Sequence, residues 1–167
     1  MNQADLVQLL ELSRRKTNEL IEAIAARPDP ATVLAWRPGP GRAHLAWQLM
    51  HVAATDDRHL NVRMRDGEAA SPEFVRRFAG GSTPDDDVPS FDVIRCYLTE
   101  RRQAMLDHVR SLSEAELATK PNPQAQWVYE EWFRVLAWHE AHHHGQSHLT
   151  YNLFRASHDP AAPKVGH

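Results

Sequence analysis

The feature that most restricts the fold of this chain is the recurrence of apolar residues at helical spacing. The predicted helices span about residues 4–26, 42–65, 90–112 and 128–156. No stretch alternates Val, Ile or Thr with polar residues over the length of a strand. A period of about 3.6 residues is typical of amphipathic helices, and a period of about two is typical of strands. The sequence therefore predicts an all-α fold in which four long helices form a bundle.

Turn residues and helix caps set the expected ends of these helices. Pro28 and Pro30 are expected to end the first helix, and Asp66-Gly67 the second. Ser90 is the expected N-cap of the third helix, because its hydroxyl can accept a hydrogen bond from a free backbone amide of the first turn.

The polar stretch over residues 68–89 predicts a long connection between the second and third helices, with one short helix near residues 73–78. A chain of 167 residues is long enough for one domain with one sizeable core. We therefore expect a single domain over residues 1–158. The segment 159–167 is rich in Pro and Ala and is expected to be a flexible C-terminal tail.

Composition argues against several functional classes. The net charge of −3 gives no electrostatic reason to expect nucleic-acid binding. No apolar run approaches the ~20 residues of a membrane span, and no basic segment leads into an apolar one at the N-terminus. The one cysteine, Cys96, excludes an internal disulfide and is expected to be a small packing residue. Together these features favour a cytoplasmic location.

Histidine is the unusual residue: there are 11, and five of them lie between residues 139 and 148. His139 and His143 are four positions apart, so on a helix they share one face about 6 Å apart along the axis. They also lie on a heptad seam that should face the bundle axis. That seam comprises Trp132, Leu136, His139, His143, Gln146, Thr150 and Leu153. A surface histidine cluster is the alternative, but the apolar ends of the seam favour a buried metal site.

A third ligand has to come from another helix. The second predicted helix offers His44, His51 and His59. Its apolar residues cover most of the circumference, so periodicity does not decide among the three. His51 is mildly favoured because it lies mid-helix beside Trp47.

The run from Trp138 to Gln146 resembles the H-x-x-x-H-x-G-Q signature in the last long helix of the DinB-like (YfiT-like, DNA-damage-inducible) family. The segment 43–54 is similar to the second helix of that family. The order of helices agrees over about residues 5–156. The signatures are short, but they occur on the expected helices at the expected separation.

This resemblance implies a four-helix bundle of the DinB/YfiT-like type, often a homodimer. It also implies that His51 joins His139 and His143 as the third ligand of one divalent metal ion. Zinc and nickel are the expected metals, with iron as an alternative. Some relatives use low-molecular-weight thiols such as bacillithiol or mycothiol. The implied function is a metal-dependent enzyme acting on a small molecule, either a thiol-dependent S-transferase or a hydrolase, without nucleic acid or membrane as partner.

Three further residues are expected near the metal. Gln146 follows His143 by one turn and is a candidate partner of a ligand or substrate. Trp47 and Trp132 are expected to border the cavity. The alternative functions are a non-catalytic metal-dependent binding or stress-response module, and a metal-free bundle whose histidines bond to one another.

His139-Glu140-Ala141-His142-His143 also matches the H-E-x-x-H pattern of zinc peptidases. In those enzymes the glutamate is the general base, so Glu140 is a candidate catalytic residue. It is about 100° from His139 around the helix and is more simply expected to point toward solvent or a neighbouring helix. No glutamate follows Glu140 to supply a third ligand, which makes a peptidase a remote alternative.

Overall fold

The computed structural model describes residues 1–159, and every regular element in this range is helical. The all-α prediction is confirmed. Among the described helices, none combines the length and apolar character needed to cross a membrane. Of the predicted tail, only Asp159 belongs to the described residues, and Arg27 holds its carboxylate in an ion pair; the rest lies outside them.

The first helix, α1 (Gln3–Ala25), begins with a capping box in which Asn2 and Asp5 exchange side-chain hydrogen bonds with the backbone. A short helix, α2 (Pro30–Ala35), follows it. From the sequence, Pro30 was expected only to end a helix. Pro30 in fact begins α2, because its fixed φ and missing N–H cost nothing in the first turn of a helix.

The helix α3 (Leu45–Asp57) continues without a break into a π-helical segment over Arg58–Met64. The predicted start near Arg42 is too early. His44 is the N-cap, and its Nδ1 accepts a hydrogen bond of 3.0 Å from the backbone amide of Trp47. His44 therefore caps the N-terminal end of α3 instead of lying within the helix.

The connection after the π segment contains one short helix, α4 (Pro72–Arg77). Asp57, at the end of α3, holds this connection in place. Its carboxylate accepts hydrogen bonds of 2.9 Å from the backbone amides of Ala70 and Ser71 and one of 2.8 Å from the hydroxyl of Tyr97. This anchor places the following residues, Phe78 included, against α3.

Three helices complete the described chain: α5 (Phe91–Ser111), α6 (Glu114–Leu117) and α7 (Tyr129–His158). The predicted N-cap Ser90 does cap α5, with its hydroxyl accepting from the amide of Val93. Ser113 caps α6 through a capping box with Glu116.

The four longest helices pack in four pairs, α1 with α5 and α7, and α3 with α5 and α7. Apolar side chains along them form two separate clusters. Between the clusters, four buried charged residues, one from each long helix, form ion pairs with one another. These four residues, which we call the ion layer, are Arg14, Asp56, Arg102 and Glu140.

The buried face of α7 differs from the predicted seam. Trp132, Leu136 and Thr150 are buried as expected, but Gln146 is exposed and Leu153 is 43% exposed. The positions that face the core instead include Phe133, Ala137, Glu140, Ser147, Tyr151 and Phe154. The helix is thus rotated from the predicted orientation, so that Glu140 lies inside and the two histidines lie at the side.

Candidate metal centre

Three histidine side chains converge between α3 and α7. His51 lies in the middle of α3, and His139 and His143 lie one turn apart on α7. Each offers a ring nitrogen, and these three nitrogens lie within 4.8 Å of one another. The ring centroids are 4.4 Å to 5.0 Å apart. We call these residues the histidine cluster.

The orientation of His51 is set by two neighbours. Its Nδ1 donates to the backbone carbonyl of Phe78 at 2.7 Å, and the indole of Trp47 stacks on its ring with centroids 5.0 Å apart. Since Nδ1 carries the proton, Nε2 presents a lone pair, and it points toward Nε2 of His139 at 3.2 Å. Hydrogen bonding of one imidazole nitrogen to a carbonyl commonly fixes the tautomer of a metal-binding histidine.

The spacing within the histidine cluster fits a shared cation. Two imidazole nitrogens at ~2.1 Å from one ion are about 3.0 to 3.4 Å apart in octahedral or tetrahedral geometry. The separation of 3.2 Å between the Nε2 atoms of His51 and His139 falls in that range. Nδ1 of His143 is buried and has no hydrogen-bond partner among the described residues. An unpartnered buried polar atom is costly, and a bound ligand would remove that cost.

Burial also keeps these histidines in the form that binds metals. It lowers the pKa of His51 below the ordinary value. It lowers the pKa of His139 to about 3 and that of His143 to about 4, and the neighbouring imidazoles add to both shifts. Neutral imidazoles have a free lone pair, so no proton has to leave before a cation binds at neutral pH.

The three residues predicted to surround the cluster have different positions. Trp47 packs directly on His51. Trp132 is buried, but its Nε1 donates to Nδ1 of His59 at 2.7 Å. Gln146 lies on the exposed side of α7, with its amide nitrogen 2.8 Å from Nε2 of His142.

Glu140 belongs to the ion layer. Its side chain is fully buried, with Oε1 accepting from Nε of Arg14 at 2.6 Å and Oε2 accepting from Arg102. Burial opposes ionisation, but the two guanidinium charges outweigh it and hold the pKa of Glu140 below its ordinary value. A carboxylate with both oxygens bound to arginine is a poor general base. The H-E-x-x-H interpretation therefore lacks its base. Of the two expected orientations of Glu140, toward solvent or toward a neighbouring helix, the structure shows the second, with contacts to α1 and α5.

Cys96 also differs from its predicted role. It is exposed, and its thiol lies 3.1 Å from a carboxylate oxygen of Glu100. The hydrogen bond to Glu100 raises the pKa of Cys96, which disfavours the thiolate. Cys96 is thus neither a packing residue nor an activated nucleophile.

A small cavity of about 230 Å³ lies beside the histidine cluster and is lined by His51 and His139. Thr55, Arg58 and His59 line it as well. Of these three residues, only His59 was a candidate from the sequence, and then as a third metal ligand. Helical spacing places Thr55 and Arg58 on the His51 face, which was the available signal; the π geometry that brings in His59 has no such signal in the sequence.

Comparison with known proteins identifies one family. The sequence model of the DinB superfamily matches residues 9–147, a range that includes all three members of the histidine cluster. No curated protein gives a significant match to the chain.

Proposed function

We propose, since this chain belongs to the DinB superfamily, that the histidine cluster binds one divalent metal ion and that the protein is a metal-dependent enzyme acting on a small molecule. The observation that carries this proposal is the convergence of three neutral imidazoles beside a cavity. A non-catalytic binding module would need the cluster but not the cavity.

Three neutral ligands leave the full charge of a divalent ion in place, with coordination positions free for a substrate. Such an ion, when bound, supplies Lewis acidity and lowers the pKa of a water or thiol that contacts it. The chain itself orients the site: the Phe78 carbonyl fixes the His51 ring, and Trp47 covers one face of that ring.

Zinc or nickel is the proposed metal and iron the alternative, since imidazole suits all three. A thiol-dependent S-transferase is preferred over a hydrolase on family resemblance. We also propose that α1, α3, α5 and α7 form the four-helix bundle of the DinB-like type, with residues 65–90 as its long connection. The pairwise packing of these helices supports this arrangement.

Elemental analysis of untagged protein tests the metal site. The wild-type protein is expected to hold about one divalent ion per chain, because three ligands and a free position suffice for one ion. The variants His51→Ala, His139→Ala and His143→Ala are each expected to lose most of it. The matched control is His142→Ala, which removes an exposed histidine from the same helix. Full metal content in His139→Ala would contradict the proposed site.

Cobalt substitution tests the thiol version separately. A thiol that enters the metal-binding site is expected to produce an intense sulfur-to-cobalt absorption band in the near ultraviolet. Cobalt-loaded protein that shows no such band with any small thiol would exclude a thiol-dependent transferase and leave the hydrolase.

We further propose that a second copy of this chain covers the groove between α1 and α7. This groove, of about 850 Å³, is lined mainly by apolar side chains, and two of them, Leu12 and Trp138, are 45% and 64% exposed. Lys16 and Glu131 also line it. A copy related by two-fold symmetry would cover the exposed apolar side chains of both chains with the same surface. Light scattering is expected to give a dimer for the wild type and a monomer for Trp138→Glu, and a monomeric wild type would contradict the pairing.

A further inference from the structure

The cavity beside the histidine cluster has an uneven charge distribution. Its lining includes one guanidinium, that of Arg58, and no carboxylate from the described part of the chain. The imidazoles of His51 and His139 contribute no negative charge either, because a neutral ring carries none. Any divalent ion held by these histidines adds positive charge at the same place, so the cavity favours an anion.

Arg58 is free to bind a ligand. It is exposed, and it has no carboxylate within 4.0 Å among residues 1–159. Several other arginines, such as Arg14, Arg77 and Arg102, are held in ion pairs. An unpaired guanidinium in a cavity can form two parallel hydrogen bonds with a carboxylate.

His59 lines the same cavity and has a hydrogen-bond donor. The indole N–H of Trp132 donates to Nδ1 of His59 at 2.7 Å, and an indole nitrogen cannot accept. The ring proton of neutral His59 must therefore reside on Nε2, which has no partner among the described residues. Burial and the charges of Arg58 and Arg63 lower the pKa of His59 to about 4, which keeps the ring neutral.

Thr55 lies between His51 and His59 along the same helix and lines the cavity too. The helical spacing of His51, Thr55 and Arg58 sets these side chains along one face. That face therefore leads from a proposed metal ligand to a hydroxyl and then to a cation. Such a succession of groups is suited to a substrate that has a reacting atom at one end and an acidic group at the other.

We propose that Thr55, Arg58 and His59 form a carboxylate-binding subsite, and that the substrate of the proposed metal centre is a small organic acid or a thiol that bears a carboxylate. This inference rests on the proposed function. The volume of about 230 Å³ equals that of roughly eight waters at ~30 Å³ each. It admits the acidic group with a few carbons. A larger body would extend into the neighbouring polar groove of about 660 Å³, which His59 also lines.

The experiment compares two thiols of equal chain length on cobalt-loaded protein, 3-mercaptopropionate, which ends in a carboxylate, and 3-mercapto-1-propanol, which ends in a neutral hydroxymethyl group. The sulfur-to-cobalt band reports the dissociation constant of each. The wild type is expected to bind the acid at least tenfold more tightly, since hydrogen bonds to charged groups contribute more than those between neutral groups. In Arg58→Gln this preference is expected to fall about tenfold. The matched control, Arg76→Gln, removes an exposed arginine that does not line the cavity and should keep the preference.

Direct contact of the carboxylate with the metal would strengthen acid binding equally in the wild type and in Arg58→Gln. The difference between the two proteins in their preference for the acid over the alcohol therefore measures the contribution of Arg58 alone. An unchanged preference in Arg58→Gln, equal binding of the two thiols by the wild type, or no band with the acid would each overturn the subsite. Cobalt uptake is measured first by elemental analysis. Failure to take up cobalt would contradict the metal centre itself, so the two failures are distinguishable.

Discussion

The molecule has two buried polar regions on the same helices, and they are built on opposite principles. The ion layer has two guanidiniums and two carboxylates, one from each long helix, and none of its residues is more than 6% exposed. The histidine cluster has three neutral rings, of which two are half-buried. The layer balances its own charges, whereas the cluster lacks a partner that the chain does not supply.

The ion pairs within the ion layer show the same difference from the histidine cluster. Arg14 contacts both Glu140 and Asp56, and Arg102 contacts the same two carboxylates. Two nitrogens of Arg102 still lack partners among the described residues, so the layer is balanced in charge without making every hydrogen bond. A charge-balanced network lying between two apolar clusters is suited to holding helices in register. A group of lone pairs beside a cavity is suited to binding.

The largest expected effect separates the two regions by stability. Glu140→Gln leaves Arg14 and Arg102 buried with one shared carboxylate, that of Asp56, instead of two. Removing one partner of a buried ion pair costs about 3 to 5 kcal/mol, so we expect a loss of that size in the free energy of unfolding. Urea denaturation of metal-free protein measures it. Glu22→Gln, an exposed site on α1, is the control and should change the value by less than about 0.5 kcal/mol. Equal losses of unfolding free energy in the two variants would contradict a structural role of the ion layer.

The next effect concerns the histidine cluster and depends on added metal. A ligand at 100 times its dissociation constant stabilises the folded state by about 2.7 kcal/mol. We expect zinc to raise the free energy of unfolding of the wild type by this amount and a chelator to reverse it. In His139→Ala, zinc should no longer raise the free energy of unfolding, while the value for the metal-free protein should change little. A gain that persists in His139→Ala would show that the metal binds elsewhere.

The smallest effect concerns Asp57. It follows Asp56 of the ion layer in the sequence, and it holds the connection whose Phe78 carbonyl bonds to His51. Burial favours its neutral form, but hydrogen bonds from two backbone amides and two side chains outweigh burial and lower the pKa of Asp57. Asp57→Asn removes acceptor capacity and is expected to cost about 1 to 3 kcal/mol at pH 7. It should also weaken metal binding, since Phe78 orients His51.

The pH dependence of this loss follows from the lowered pKa. The contribution of Asp57 is present above its unfolded-state pKa, near pH 4, and is lost as the pH falls through the folded-state value. The difference in the free energy of unfolding between the wild type and Asp57→Asn, measured by urea denaturation, should therefore be largest at pH 7 and shrink below about pH 4. The control is Asp85→Asn, whose carboxylate is exposed and bound by Arg77, and whose effect should be smaller. A constant difference across this range would contradict the assignment.

Local geometry made part of this structure predictable from the sequence. Caps such as Ser90 and Ser113 act within three residues of themselves, so their motifs specify them. The spacing of His139 and His143 places them together on any helix. The choice of His51 depended on family resemblance, because the spacing of histidines in its helix left three candidates open.

Other features could not be predicted because they depend on contacts between residues far apart in the sequence. The role of Glu140 depends on Arg14, which is 126 positions away, and on Arg102, which is 38 away. A heptad pattern read along α7 alone could not reveal these partners, and it placed Gln146 and Leu153 inside instead. The π segment was missed for a different reason: its residues are ordinary helix formers, and tertiary packing determines the hydrogen-bond pattern.

The π segment at Arg58–Met64 affects how the cavity can change in evolution. A π turn holds one more residue than an α turn, and it most simply arises from a single-residue insertion in a helix. Deleting one residue there would rotate the following side chains by about 100° relative to α3. The proposed ligand His51 lies before the segment and would stay in place, while Val62 and Arg63, which line the neighbouring groove, would be turned away from it. One codon gained or lost in this helix can therefore remodel what the protein accommodates without touching the residues that define its chemistry.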